Sequence, residues 1–297
     1  MKTLPIIEQH FHGAYGVDFN TAGVNEIVDL AQKLYAQGID YFFPTLVTDS
    51  VENIKRQIKV IKKASEKCKG ILGIHLEGIF LNPQKKGIHN PEHFLPLTVE
   101  NYKQIEDDFI KIVTLAPELD NGLISYLKKQ GIKVQAGHCI GWASGENKPD
   151  GATHMFNAMS GISHRENSTA LSAIIDDEIY TEIIADGVHV SDDALKLLFK
   201  TKPKTKIILI SDALPITYSD LKETVFADSK IYYDGTSATS AEGTLAGSTK
   251  LLPEIIKILC KKELFNPQYI ENSYIYHGLE PKGELIWDED FNIIGRN

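Results

Sequence analysis

The chain has 297 residues, 42% of them hydrophobic and 24% charged, with a formal net charge of −9. That length suits one large α/β barrel or two modest domains, and the acidic balance argues against nucleic acid, whose affinity rests largely on Lys and Arg neutralising phosphates. No stretch approaches the ~20 apolar residues of a membrane span, and no charged leader precedes an apolar run. The expectation is therefore a cytoplasmic protein in which Cys68, Cys139 and Cys260, scattered and odd in number, stay reduced.

In chain order, the first apolar run is Leu4-Pro5-Ile6-Ile7, leading into Glu8-Gln9-His10-Phe11-His12. Val24, Ile27, Val28, Ala31, Leu34 and Tyr35 then recur at helical spacing, with Gly38 as a stop. Tyr41-Phe42-Phe43 is the second run. The lysine-rich stretch from Lys55 to Lys69 reads as the solvated face of a helix. Ile71 to Ile74 leads into His75-Leu76-Glu77-Gly78, and Ile110 to Leu115 into Ala116-Pro117-Glu118. A helix from about Gly122 to Gln130 ends at Gly131. Ile132 to Val134 then leads into Gln135-Ala136-Gly137-His138, and Gly151 to Thr153 into His154. Glu182 to Ala185 leads into Asp186-Gly187, Ser191 N-caps a helix from Asp192 to Lys200, and Lys206 to Ile210 leads into Ser211-Asp212. The long connection from Ala213 to Thr249 carries a strand-like Lys230 to Tyr233 and reads as an elaborated functional loop. Gly283 to Ile294 alternates as a hairpin.

Eight short strands alternating with helices predict an α/β protein with a (β/α)8 TIM-like barrel of the metal-dependent hydrolase type. Residues 1–275 are expected to form the barrel and 276–297 a C-terminal β-hairpin remnant packed on it. An open doubly wound sheet is the runner-up, but no glycine-rich phosphate loop follows the first strand. The segment between His138 and Gly151 is barely long enough for a parallel crossover.

Active sites of such barrels lie at the C-terminal strand ends, where the His, Glu and Asp residues of this chain collect. His10 and His12, two apart on a strand, point the same way. Glu77, His138, His154 and Asp212 end four other strands. Each alone is a weak signal; the conjunction points to a divalent metal site of imidazole and carboxylate ligands, zinc first. Such an ion lowers the pKa of its water from about 15.7 toward ~7. Asp212 then suits the general base that takes the water proton and returns it to a departing amine. No Gly-x-Ser-x-Gly elbow is present, and Cys139 reads as a packing residue.

Further motifs extend this set. His-Leu-Glu-Gly (75 to 78), Lys-Lys-Gly-Ile-His-Asn (85 to 90), Thr-Leu-Ala-Pro-Glu (114 to 118), Gly-His (137 to 138), Thr-His-Met-Phe-Asn-Ala-Met (153 to 159), Ala-Asp-Gly-Val-His-Val (185 to 190), Ser-Asp-Ala (211 to 213) and Leu-Ala-Gly-Ser (245 to 248) follow one another along the chain. In that order they resemble the N-acetylglucosamine-6-phosphate deacetylase family of the amidohydrolase superfamily, over about residues 5 to 260. The resemblance implies hydrolysis of the acetamide of N-acetylglucosamine 6-phosphate to glucosamine 6-phosphate and acetate. It implies Glu77, His138 and His154 as principal metal ligands, His10 and His12 as a second position, and Asp212 as acid/base. One or two ions per subunit are expected, zinc first, with iron, manganese or cobalt as alternatives.

For the substrate, the resemblance implies His89 and Ile88 near the acetamido group and Asn157 and Ala158 at backbone-binding positions. Arg165 and His189 match phosphate-binding residues, while Asp186, Gly187, Val188 and His189, with Leu245, Ala246 and Gly247, match sugar-contacting loops. A homodimer is implied. Two departures stand out. Family members carry a small β-sandwich domain flanking the barrel, and here the first barrel strand starts almost at Met1, so the N-terminal half of that domain is expected to be missing. His164-Arg165 is followed by Glu166-Asn167-Ser168, where the family usually has a Pro-Gly after the next residue. The alternatives are a different N-acylated sugar phosphate or a cyclic amide as substrate, and a non-catalytic sugar-phosphate-binding protein, which would not need Asp212.

Overall fold

The computed structural model describes residues 1–142 and 145–297. Eight parallel strands stand side by side in chain order: β1 (Ile6–Phe11), β2 (Ile39–Val47), β3 (Ile74–Glu77), β4 (Ile110–Leu115), β5 (Lys133–Ala136), β6 (Gly151–Ala152), β7 (Tyr180–Ile183) and β8 (Ile207–Leu209). Leu76 of β3 lies opposite Val113 of β4, which lies opposite Val134 of β5, and the register shifts at the start of β3 and within the β1–β2 pair. The first run begins at Ile6 rather than Leu4, because Pro5 has no N–H to give to a ladder. The chain beyond β8 closes the ring onto β1: Asp212 N–H donates to His10 O at 2.9 Å and His12 N–H to Ala213 O at 2.8 Å. Below this closure the Glu8 carboxylate accepts the Ser211 N–H at 3.2 Å. Burial pushes its pKa up to about 8, against the opposing pull of its bonds to Ser211 and His10.

Around the barrel lie α1 (Val24–Ala36), α2 (Val51–Ser65), α3 (Val99–Lys103), α4 (Leu123–Lys129), α5 (Thr169–Ile175), α6 (Asp192–Thr201), α7 (Leu252–Lys261) and α8 (Gln268–His277). Helix α1 buries Ile27, Leu30, Ala31 and Leu34. Helix α2 turns Ile54, Ile58, Ile61 and Ala64 inward, which leaves its lysines at the surface. Ser50 and Ser191 cap α2 and α6 by accepting the N–H of Asn53 and Ala194. Among the described residues no helix is long and apolar enough to cross a membrane. The three cysteines are free. Cys139 is fully buried, and burial raises its pKa to about 12, so it packs rather than reacts.

Two small sheets go beyond the sequence expectation. Leu285–Trp287 and Ile293–Arg296 pair as the expected hairpin, and Lys2–Thr3 adds a third strand against Leu285 and Ile286. Trp287 Nε1–H donates to Thr3 Oγ1 at 2.9 Å, tying the two ends of the described chain together. Helix α8 runs through the boundary expected at residue 275. The connection after β8 holds four antiparallel strands, Glu223–Phe226, Ser229–Tyr233, Ala238–Ser240 and Leu245–Gly247, where only the second was expected. Ala227 and Asp228, at φ 49° and 61°, make a tight two-residue hairpin turn, for which Asn-Gly is the usual signal. This sheet sits over the barrel mouth through a core of its own that includes Phe226, Ile231, Val47 and Ile88.

Candidate metal centre

His10 is the last residue but one of β1 and His12 follows the strand; Glu77 ends β3; His138, His154 and Asp212 lie two, two and three residues beyond β5, β6 and β8. At the last three the backbone leaves the strand through a left-handed turn, with φ of 50°, 30° and 52°. Such conformations cost on the order of 1–3 kcal/mol each for a non-glycine residue and persist only where surrounding bonds impose them. Here Asn82 N–H donates to His138 O at 3.0 Å, Asn157 N–H to His154 O at 2.9 Å and Ser248 N–H to Asp212 O at 2.9 Å. The turns swing three side chains from the barrel wall into its mouth.

Glu77 stands at the centre. Its Oε1 lies 2.9 Å from His154 Nε2 and 3.3 Å from His138 Nε2, and those two nitrogens are 3.1 Å apart. Its Oε2 lies 3.0 Å from His12 Nε2 and 3.3 Å from His10 Nε2. Asp212 Oδ1 completes the second group, 3.2 Å from His12 Nε2 and 3.4 Å from His10 Nε2. Ligand atoms at ~2.0–2.1 Å around a tetrahedral ion sit roughly 3.3–3.4 Å from one another, so both groups have the spacing of a ligand set. His10 Nε2 is buried and makes no hydrogen bond among the described residues, which is the state of a ligand lone pair aimed at an ion. His12 and His138 turn Nδ1 outward, toward Thr45 O at 3.2 Å and Lys85 O at 2.8 Å. Those bonds fix Nε2 as the inward atom, as second partners do for metal-bound imidazole.

The electrostatics agree. Burial alone would raise the pKa of Glu77, but His10, His12 and His138 hold it well below the usual carboxylate range. Burial alone would lower the pKa of His12, yet the Asp212 and Glu77 carboxylates lift it to about 9. A divalent ion held by these groups would take the place of imidazole protons, so its binding would release them. His89 Nδ1 is 2.8 Å from Thr48 Oγ1 and its Nε2 3.8 Å from Glu77 Oε2. Burial, then the electrostatic influence of the neighbouring His138 ring, lowers its pKa well below the usual histidine value. Thr48 Oγ1 accepts the Ile79 N–H and keeps its own hydrogen available for His89 Nδ1; in that tautomer His89 presents Nε2–H to the site.

Above the ligands opens a cavity of about 470 Å³. Of the residues expected to meet substrate, Ile88, His89, Asn157, Ala158, His189, Leu245, Ala246 and Gly247 line it. Asp186, Gly187 and Val188 lie off its wall. Asp186 is buried behind His189, with Oδ2 2.8 Å from His189 Nδ1, and its Oδ1 accepts the N–H of both Val188 and His189. Burial opposes the charge on Asp186, but these bonds bring its pKa down to about 2. Arg165 is exposed and off the cavity wall, its N–H on Ser163 Oγ at 3.3 Å. Gln84, Lys85, Gly87 and Phe226 line the cavity without having been expected. Gln84 adjoins the motif at 85 to 90, and Lys85 and Gly87 lie within it; Phe226, 4.9 Å from the His12 ring between centroids, belongs to the sheet whose turns gave no signal. Gly87 has φ 55°, and a Cβ there would come within 3.1 Å of His138 Cε1. A second cleft, of about 590 Å³ between α1, α7 and the C-terminal hairpin, holds no metal-competent cluster among the described residues.

A parallel eight-stranded barrel with imidazole and carboxylate groups converging at the C-terminal strand ends is a barrel of the metal-dependent hydrolase type. The chain is 35% identical over 261 residues to N-acetylglucosamine-6-phosphate deacetylase of Bacillus subtilis, covering 82% of this chain and 65% of that one. It is 31% identical over 269 residues to the Haemophilus influenzae enzyme of the same name, covering 86% and 70%. It is also 31% identical over 259 residues to N-acetylgalactosamine-6-phosphate deacetylase of Escherichia coli O157:H7, covering 82% and 68%. The crystal structure of N-acetylglucosamine-6-phosphate deacetylase from Pasteurella multocida superposes with a TM-score of 0.91 at 26% identity, over all of this chain and 84% of that one. No family model matches the chain. The chain belongs to the N-acetylglucosamine-6-phosphate deacetylase family. It spans about two thirds of the length of the curated relatives it matches.

Proposed function

We propose that this protein hydrolyses the acetamide of an N-acetylated hexosamine 6-phosphate, N-acetylglucosamine 6-phosphate first, to the free amine and acetate. The observation that carries the reading is Glu77, whose two oxygens face two separate groups of ligand atoms below one cavity. The names of the relatives support the substrate class. Glu77, His138 and His154 would hold one divalent ion, and the other Glu77 oxygen with His10, His12 and Asp212 a second. Zinc best matches this donor set, with iron, manganese and cobalt as alternatives. When bound, the metal polarises the amide carbonyl and brings water toward hydroxide near neutral pH.

The chain's own groups do the rest. Asp212 takes the proton of the attacking water and delivers it to the departing amine as the C–N bond breaks. His89 offers Nε2–H to the acetamido group. Ile88, Phe226, Leu245 and Ala246 exclude water around it. His189, held by Asp186, receives the 6-phosphate together with Arg165, a guanidinium suited to gripping phosphate oxygens. A homodimer and a cytoplasmic location, with three unpaired cysteines kept reduced, belong to the same reading.

The test is acetate release from N-acetylglucosamine 6-phosphate by protein loaded with zinc, iron, manganese or cobalt in turn. No release with any of them sinks the activity. Unchanged turnover in Arg165→Ala removes that residue from phosphate recognition, and a monomer by light scattering removes the dimer. A second reading, N-acetylgalactosamine 6-phosphate as the preferred substrate, draws on the similar identity to the Escherichia coli relative. The ratio of kcat/KM on the two sugars decides between them.

A further inference from the structure

Behind the His10 side of the site runs a chain of buried polar groups that the chemistry above leaves unused. His277 Nε2, in the last turn of α8, lies 3.0 Å from Gln9 Oε1. Gln9 Nε2 donates to Glu182 Oε1 at 2.6 Å, and Gln135 Nε2 donates to the same oxygen at 3.4 Å. Glu182 Oε2 lies 3.1 Å from His10 Nδ1. Gln9, His10, Gln135 and Glu182 have no exposed surface. Among the described residues His10 is the one ion-pair partner of Glu182.

The hydrogen-bond direction along this chain follows from the donor inventory. Gln9 donates through its nitrogen to Glu182, so its oxygen is left to accept from His277. A carboxylate accepts only, so His10 must offer Nδ1–H to Glu182. In the neutral ring that a metal requires, this leaves the Nε2 lone pair turned toward Glu77 and Asp212. Among the described residues no other imidazole of the two ion positions is backed by a carboxylate in this way. His12 and His138 lean on the neutral carbonyls of Thr45 and Lys85, and His154 Nδ1 has no hydrogen-bond partner among the described residues. An anionic acceptor holds its donor more firmly than a neutral one and makes the opposite ring nitrogen a better ligand.

We infer that Glu182 is a positioning residue that selects the Nδ1–H tautomer of His10 and thereby sets the affinity of the ion position formed by His10, His12 and Asp212, separately from the position formed by Glu77 Oε1, His138 and His154. This inference rests on the two-position reading of the site. Partners in this role change metal affinity by about 10–100-fold.

The experiment titrates metal-free protein with zinc alone against a chromophoric chelator, reading the stoichiometry and the affinity of each step. Wild type is expected to bind two ions and the double variant His10→Ala/His12→Ala one. If wild type binds a single ion and that double variant leaves it unchanged, the two-position reading has failed, and the inference with it. With two ions in wild type, Glu182→Gln is expected to keep one affinity and weaken the other about 10–100-fold, with Glu182→Asp recovering part of the loss. Two unchanged affinities in Glu182→Gln would overturn the role of Glu182 alone. Because a buried substitution can prevent folding, a second measurement uses wild type only: histidine side-chain nitrogen NMR of the zinc-loaded protein. His10 protonated at Nδ1 is the expected result, and His10 protonated at Nε2 overturns the inference.

Discussion

The two sides of Glu77 are built in different ways. On the Oε1 side, His138 and His154 reach the site from left-handed turns beyond β5 and β6, and His138 leans on the carbonyl of Lys85 in a loop that Gly87 brings close. On the Oε2 side, His10 and His12 need no such turn, because alternation along an extended segment already aims both the same way. Their support comes instead from a buried carboxylate, Glu182, and from Thr45 O. The imidazoles of one half are held by strained backbone and loop packing and those of the other by strand geometry and buried charge, with Asp212 alone reaching the Oε2 side from a left-handed turn. Substitutions in surface loops should therefore disturb the first half, and substitutions inside the barrel the second.

The largest test removes what the halves share. Glu77→Ala takes away both facing oxygens, so metal content by elemental analysis should fall for both positions and acetate release should drop to background. If Glu77→Ala retains one full equivalent of metal, Glu77 does not join the two halves. Next comes Asp212→Asn, which keeps the shape of the Oε2 side but removes the group proposed to move the proton. Turnover should fall by about 10²–10⁴, the usual contribution of general acid–base catalysis, while the Oε1-side affinity stays within twofold of wild type. Equal loss of both ions would place Asp212 in the structure of the whole site rather than in its chemistry.

Asp186 lies outside both halves and serves as a control. Its carboxyl moves from 3.8 when unfolded to about 2 in the folded protein, a depressed value. The ion therefore contributes stability above about pH 4, which is lost as pH falls through about 2, and the full contribution is about 2 kcal/mol. In Asp186→Asn, denaturant unfolding followed from pH 6 to pH 2 should lose that much of its acid-side slope, with metal stoichiometry unchanged. The smallest effect is expected from Gly87→Ala. Strain at positive φ costs a residue with a Cβ about 1–2 kcal/mol, and the new methyl presses on His138. A weakened Oε1-side affinity with an unaltered Oε2 side would sharpen the contrast; an effect confined to the Oε2 side would break it.

The parts of the site that lie along one strand or at its end were legible before the fold was known. His10 and His12 were readable from their spacing, and Glu77, His138, His154 and Asp212 from the polar residue that follows each apolar run. The motif order extended that reading to most of the cavity wall. Arg165 is different: its motif suggested phosphate, but its place on an exposed loop off the cavity wall is a property of the folded chain. Glu182 was readable only as the first residue of a strand run, because its partner His10 is 172 residues away. The small sheet over the mouth escaped notice because Ala227-Asp228 does the work usually given to Asn-Gly.

The sequence by itself determined the eight-strand rhythm, the barrel it implies and the imidazole and carboxylate groups at its mouth, because apolar periodicity and strand-end polarity are local properties. Only the tertiary structure decided which oxygen of Glu77 faces which imidazoles, which groups stand behind those imidazoles, and that Lys2–Thr3 pairs with the hairpin near the other end of the chain. Those are contacts between residues far apart in sequence. They are set by closure of the barrel and by packing within it, and neither leaves a periodic trace along the chain.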